Sequence, residues 1–163
     1  MPTPIRHRLL AACVVLAACL SATPARADDP LVGLWRASEE GGDGSSSIIE
    51  LSVRDGRMNG RILKTFDVHG VETHPVCAKC KGPLAGQPLA GLQFISDLRY
   101  DGTRWVDGHV IDLRAGRLQG TVVSCDLTLV DGRAVIRGYF LARVLGGSST
   151  WTRVAASDDA LRR

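Results

Sequence analysis

The chain has 163 residues, 45% hydrophobic and 23% charged, with 20 Lys and Arg against 17 Asp and Glu. That length admits one domain around one core rather than two. Arg6, Arg8 and Arg26 precede Asp28 and no acid does, so the 20 basic residues fall to 17 against 17 acids once residues 1–27 are set aside. A neutral domain has no bulk electrostatic drive toward nucleic acid, and no nucleic-acid partner is expected.

Residues 1–27 read as an export signal. Arg6-His7-Arg8 is a basic start, residues 9–20 are an unbroken apolar run, and Ala25-Arg26-Ala27 puts small residues where signal peptidase cuts. A run of about a dozen residues is too short to span a bilayer core of roughly 30 Å as a helix. Cleavage before Asp28 would release a soluble periplasmic protein, expected to be a monomer. Leu16-Ala17-Ala18-Cys19 offers a rival reading as a lipobox, with Cys19 carrying a lipid and the product an outer-membrane lipoprotein. No later stretch is long and apolar enough to be a transmembrane segment.

From residue 28 to 154 the pattern is all-β. Residues 31–38 (LVGLWRAS) give a first strand with Trp35, and 39–47 are a Gly/Ser/Asp loop. Residues 48–54 alternate, with Ile49, Leu51 and Val53 on one face. Asp55-Gly56 turns the chain and 57–64 returns. The cadence recurs at Asp101-Gly102, Ala115-Gly116 and Asp131-Gly132, which marks a meander of antiparallel hairpins. Asp131-Gly132 gives the clearest of these signals, joining strands at 118–130 and 134–141. On the first of that pair Val123, Cys125, Leu127 and Leu129 share the core face, leaving Ser124, Asp126 and Thr128 to water. His109 has the parity of Trp105, Ile111 and Leu113 and so is expected to line the interior. No amphipathic helix stands out, and residues 155–163 read as a mobile tail.

About eight strands in a meander leave two open edges unless the sheet closes on itself. The expected fold is an antiparallel up-and-down barrel. Gly33-Leu34-Trp35 near the start and Thr150-Trp151-Thr152-Arg153 near the end are similar to the lipocalin-like barrels of the calycin group. That resemblance implies that Arg153 lies across the Trp35 indole and closes the barrel. A longer series resembles a family of small exported bacterial proteins, domain-of-unknown-function family 2147. It comprises Gly33-Leu34-Trp35, Gly91-Leu92, Trp105-Val106-Asp107-Gly108, Ile111-Asp112, Gly116-Arg117, Arg137-Gly138-Tyr139 and Trp151-Thr152-Arg153. Some members are also similar in carrying Cys-x-Lys-Cys in the long loop and a later strand cysteine. The chain departs from the family pattern at Asp112-Leu113, Gln119 and Gly146-Gly147. The resemblance implies a barrel and an exported setting, and says almost nothing about activity.

Chemistry concentrates in the long segment 65–91, at His74-Pro75-Val76-Cys77-Ala78-Lys79-Cys80-Lys81. A loop of that length in a small domain is either functional or tied down. Three readings stay open. Cys77 and Cys80 form a disulfide in an oxidising compartment, or one of them pairs with Cys125. Alternatively His74, Cys77, Cys80 and Cys125 hold Zn or Cu, since two thiolates at Cys-x2-Cys spacing with imidazole suit a soft cation. Thiol–disulfide exchange is the third, with Lys79 and Lys81 favouring a thiolate. Haem attachment is excluded because Lys81, not His, follows Cys80. His69 reads as solvated. Asp107 and Asp112 differ in parity and do not converge for acid–base work. Arg61, Arg137 and Arg143 are of a type that could reach an anionic ligand, and are read first as solvated outer-face residues. With no nucleophile, paired-acid or phosphate-loop signature, the expectation is a non-enzymatic module, binding a small apolar ligand or structural in the envelope, without a cofactor. A metal-binding or thiol-handling protein is the alternative.

Overall fold

The computed structural model describes residues 28–38, 44–114 and 117–155; the expected signal, Cys19, the Ala115-Gly116 turn and most of the tail lie outside them. Among the described residues are nine strands: β1 Gly33–Ser38, β2 Ser46–Arg54, β3 Arg57–Phe66, β4 Glu72–Thr73, β5 Gln93–Tyr100, β6 Trp105–Ile111, β7 Val122–Val130, β8 Arg133–Tyr139 and β9 Gly146–Arg153. One 3-10 turn, Gly82–Leu84, interrupts the long loop. Every strand pairing is antiparallel, in the order β2-β1-β9-β8-β7-β6-β5-β3-β4, and a further β2–β3 ladder closes the sheet. The result is an eight-strand barrel, with the two-residue β4 laid beside the end of β3. Closure gives each barrel strand a partner on both sides and removes the open edges.

An up-and-down path sorts the connections by end. The tight turns after β2, β5 and β7 share one end with the 29–32 segment. The longer β3–β5, β6–β7 and β8–β9 connections emerge at the other. Two of the tight turns place both central residues at positive φ, 50° and 72° at Asp55-Gly56 and 48° and 73° at Asp131-Gly132. That conformation matches the twist of the flanking strands.

The tight-turn end is filled. Trp35, Leu51, Met58, Ile95, Leu98, Trp105, Cys125 and Leu127 are all buried there in one cluster. Two inward glycines make room for them. A Cβ on Gly108 would lie 2.4 Å from Leu98 Cγ, and one on Gly60 2.8 Å from Ile95 Cδ1. The chain before β1 plugs this end: Trp35 Nε1 donates to the Leu31 carbonyl at 2.8 Å, and Trp105 Nε1 to Asp29 Oδ2 at 3.1 Å. Arg153 completes the seal. Its guanidinium stands 4.2 Å from the Trp35 ring centroid and donates to the carbonyls of Val32, at 2.8 Å, and of Pro30. Arg153→Ala therefore removes a cation–π contact, packing and two hydrogen bonds. It is expected to lower stability by about 1–3 kcal/mol in urea titration.

Strand parity fails in β6, beside smaller register shifts at Ile48/Ile49 and around Gly60. The β6–β7 register shifts between Trp105 and Gly108, and Asp107 sits at φ 58°. This β-bulge buries both Trp105 and Val106 and reverses the alternation beyond them. His109 consequently points outward and is exposed rather than lining the interior. Leu129 keeps its parity, but it lies near the end of β7 and is 39% exposed.

Candidate functional site: an open apolar cavity

At the long-loop end the barrel is not filled. A cavity of about 760 Å³ opens there. Ile62, Phe94, Val110, Val123, Ile136 and Trp151 line it, and Phe94 and Trp151 meet at a centroid distance of 6.3 Å. Ala37, Ser47, Gly138, Gly147 and Ser149 also line it. These small residues stand on β1, β2, β8 and β9, so bulk is missing from a continuous stretch of wall. The space follows from this choice of side chains on the same strands that carry Trp35, Leu51 and Ala134 farther down.

The polar atoms around the cavity are largely satisfied by the protein. Trp151 Nε1 donates to Ser149 Oγ at 3.0 Å, and Thr65 Oγ1 to the Thr73 carbonyl at 2.7 Å. At the mouth Arg114 grips Asp112 with Nε and Nη2, at 3.0 and 2.6 Å, and holds that carboxyl below its usual range. Among the described residues no buried side-chain polar atom lacks a partner. The chamber thus presents apolar surface and hydroxyls, a setting for a neutral or amphipathic molecule and a poor one for a desolvated ion. A second cleft of about 340 Å³, bordered by Pro30, Tyr100 and Thr128, lies outside the sealed end.

The long loop forms part of the cavity rim. Cys77 and Cys80 are joined in a disulfide with Cα atoms 5.4 Å apart, packed with Ile62, Leu89 and Leu92. Backbone bonds fold the loop on itself: Cys77 N–H to the Gln87 carbonyl at 2.8 Å and Leu89 N–H to the Pro75 carbonyl at 2.9 Å. The fourfold ligand set is not assembled. The two loop sulfurs are bonded to each other, His74 is exposed, and Cys125 faces the separate core at the sealed end. Among the described residues no group of three or more His, Cys, Asp or Glu is placed to hold a metal ion, so these residues do not fit Zn or Cu. Burial, and then neighbouring Asp126, push the Cys125 thiol up to about 12. Native protein is expected to resist alkylation at Cys125 over hours and to react only when unfolded, as read by peptide mass mapping.

Outside the barrel, Asp126 corrects the assignment of its face to water. Only 4% of the residue is exposed. It accepts from Arg143 Nε at 2.7 Å, the Tyr139 hydroxyl at 3.3 Å and the Asp107 N–H at 3.2 Å. Arg143 also reaches Asp107 at 2.7 Å, and Arg99 meets Asp107 from the other side at 2.7 Å. Arg143 is therefore not free to meet a ligand; it clamps the β8–β9 connection to the wall. Arg61 pairs with Glu50, and Arg137 donates to the Arg143 carbonyl. Burial alone would raise the Asp126 pKa, but Arg143 and the Asp107 N–H overcome it and hold the carboxyl below its ordinary value. An acid whose pKa falls on folding contributes stability above the unfolded value of about 3.9, lost as pH drops through the folded value. Asp126→Asn should flatten this acid limb and lower neutral stability by about 1–3 kcal/mol, measured by urea titration across pH.

Sequence reasoning reached Cys77, Cys80, Cys125, Trp35 and Arg153, and missed the cavity and the Asp126 clamp. The run of small residues at Gly138, Gly146, Gly147, Ser148 and Ser149 was the available signal for the cavity.

Known proteins place this architecture. No curated protein matches the chain. Protein HP1028 from the human pathogen Helicobacter pylori, described as belonging to the lipocalin family, is similar in structure. It has a TM-score of 0.64 at 18% identity, over 77% of this chain and 84% of that one. At that identity the likeness shows the fold, a lipocalin-like barrel. Residues 33–153, from the first barrel strand to the Arg153 seal, match the model of uncharacterized proteins conserved in bacteria. The chain belongs to that family, domain-of-unknown-function family 2147.

Proposed function

We propose that this protein is a non-catalytic carrier that holds one small, largely apolar molecule in the barrel and works in the periplasm. The observation that supports this most is the cavity of about 760 Å³, open at one end and sealed at the other. Its size falls in the range of small-molecule sites, and its wall is mainly aliphatic and aromatic. An eight-strand barrel can hold a single small ligand when its interior is not filled by side chains. The lipocalin-like fold supports the same reading, and the buried disulfide suits an oxidising compartment. Among the described residues no helix is long and apolar enough to cross a membrane.

Titration with a fluorescent polyene fatty acid, paired with mass spectrometry under non-denaturing conditions, tests the binding half. Saturable binding of one probe per chain is expected; no binding by any apolar probe would sink the proposal. Export is tested separately by the intact mass of the envelope fraction. A chain beginning at Asp28 is expected, whereas a diacylglycerol-modified Cys19 would replace the soluble form with a lipoprotein.

A further inference from the structure

The two walls of the cavity differ in chemistry. The neighbouring strands β5 to β8 present only hydrocarbon side chains to it, through Phe94, Val110, Val123 and Ile136. The facing wall carries hydroxyls, at Thr65 on β3, Ser47 on β2 and Ser149 on β9. Strand pairing sets them on the inward face: Ala37 lies between Ser47 and Trp151, and Ser47 lies beside Thr65. Ser149 stands two residues before Trp151 and so shares its face. Phe94 and Trp151 come from strands that are not neighbours, so their rings meet across the lumen and floor the chamber.

The hydroxyls differ in their commitments. Thr65 Oγ1 donates its proton to the Thr73 carbonyl at 2.7 Å, and Thr73 Oγ1 stands 3.2 Å from Thr65 Oγ1. Ser149 Oγ accepts from Trp151 Nε1 at 3.0 Å, which fixes the oxygen and leaves the hydroxyl proton uncommitted. Ser47 is half-buried on the cavity wall, and its hydroxyl has no partner among the described residues. Ser47 and Ser149 therefore each offer a donor to whatever fills the chamber. No free charge is offered with them. Among the described residues the charged side chains of the lining are Asp67, Asp112 and Arg114. Asp67 accepts from the His69 and Val71 N–H groups, both at 2.9 Å, and Arg114 is bound to Asp112.

We infer that the ligand is an uncharged molecule with an apolar body and a carbonyl oxygen on one edge, as in an ester, ketone or lactone. Its oxygen faces the Ser47 and Ser149 hydroxyls while its body packs on the β5–β8 wall and the aromatic floor. A pure hydrocarbon would cover both hydroxyls and leave them without the water they now meet, which costs affinity. A carboxylate in the same place would lose its hydration in exchange for two neutral donors. A fatty acid enters chain first with its carboxylate in water at the mouth, and so fills the chamber without satisfying these serines. The inference narrows the carrier reading above and rests on it.

Fluorescence titration with propionyl-dimethylaminonaphthalene and with its propyl counterpart, in which a methylene replaces the carbonyl, tests the inference. The quantity read is the ratio of ketone affinity to alkyl affinity, in wild type and in Ser47→Ala/Ser149→Ala. The ratio is expected to fall about fivefold or more in the variant. Emission of the bound ketone should also move to shorter wavelength as its carbonyl loses donors. Ser47→Ala alone breaks no side-chain bond of the free protein and should lower the ratio about twofold or more. It decides the matter if loss of the Trp151 partner unfolds the double variant. A smaller fall in the ratio, or an equal loss of both probes, overturns the inference, and saturable binding of the alkyl probe to wild type then leaves the carrier reading standing. No saturable binding of either probe removes the carrier reading and this inference with it.

Discussion

Gly147→Trp is expected to abolish ligand binding while leaving the barrel folded. Gly147 pairs with Gly138 across the β8–β9 ladder and lines the cavity, and a Cβ placed on it meets no heavy atom within 4 Å. Its φ is not in the left-handed region, so a side chain is tolerated by the backbone. An indole grown there would occupy the space proposed for the ligand. Affinity for a polyene fatty acid should fall at least tenfold, which is about 1.4 kcal/mol or more, with unfolding free energy changed by less than about 1 kcal/mol. Val130→Trp, exposed beside the Asp131-Gly132 turn at the sealed end, should leave affinity as it was. Equal binding by wild type and Gly147→Trp would mean that the probe sits elsewhere.

Gly120→Ala is expected to detach the disulfide loop from the barrel. Gly120 has φ at 83°, and an added Cβ would stand 2.7 Å from the Lys79 carbonyl oxygen and 2.8 Å from both N and Cα of Cys80. Those are backbone atoms of a loop closed by its own disulfide, which cannot yield as a flexible side chain would. Left-handed strain and overpacking together should cost about 2–4 kcal/mol in urea unfolding. Hydrogen exchange across residues 75–92 should rise more than exchange in β7. A stability change under about 0.5 kcal/mol would show that the close approach at Gly120 is not maintained in solution.

The parts of the molecule legible in the sequence are those written in local chemistry. Asp-Gly pairs between alternating runs locate hairpins because only certain residues accept positive φ at both central positions, and Asp55-Gly56 and Asp131-Gly132 are such turns. Period-two alternation placed Cys125 and Leu127 on the core face, where they are buried. His109 was misplaced because a bulge consumes one extra residue, and nothing in Trp105-Val106-Asp107-Gly108 announces it apart from the glycine. Asp126 has the parity of an outward residue and is one. It is buried because Arg143, seventeen residues on, folds down over it, a long-range pairing no local pattern encodes. The cavity was unreadable for a related reason. Residues such as Val110, Val123 and Ile136 are apolar whether they face a packed core or an open chamber, and only the facing residues decide which. The strand 118–130 begins late, at Val122, because Leu118–Gly120 is occupied by the turn beneath the disulfide loop.

The central claim is that a ligand enters the open end and comes to rest against Trp151. All three tryptophans belong to one buried cluster, but Trp151 lines the cavity and Trp35 and Trp105 do not. A fatty acid brominated along its chain quenches indole emission only at short range, so its titration into wild type and Trp151→Phe locates the ligand directly. Wild type should lose part of its tryptophan emission saturably, at one ligand per chain, and Trp151→Phe should bind the same ligand with its remaining emission nearly unchanged. No saturable quenching in wild type, or equal quenching in Trp151→Phe, would contradict a ligand seated in this cavity.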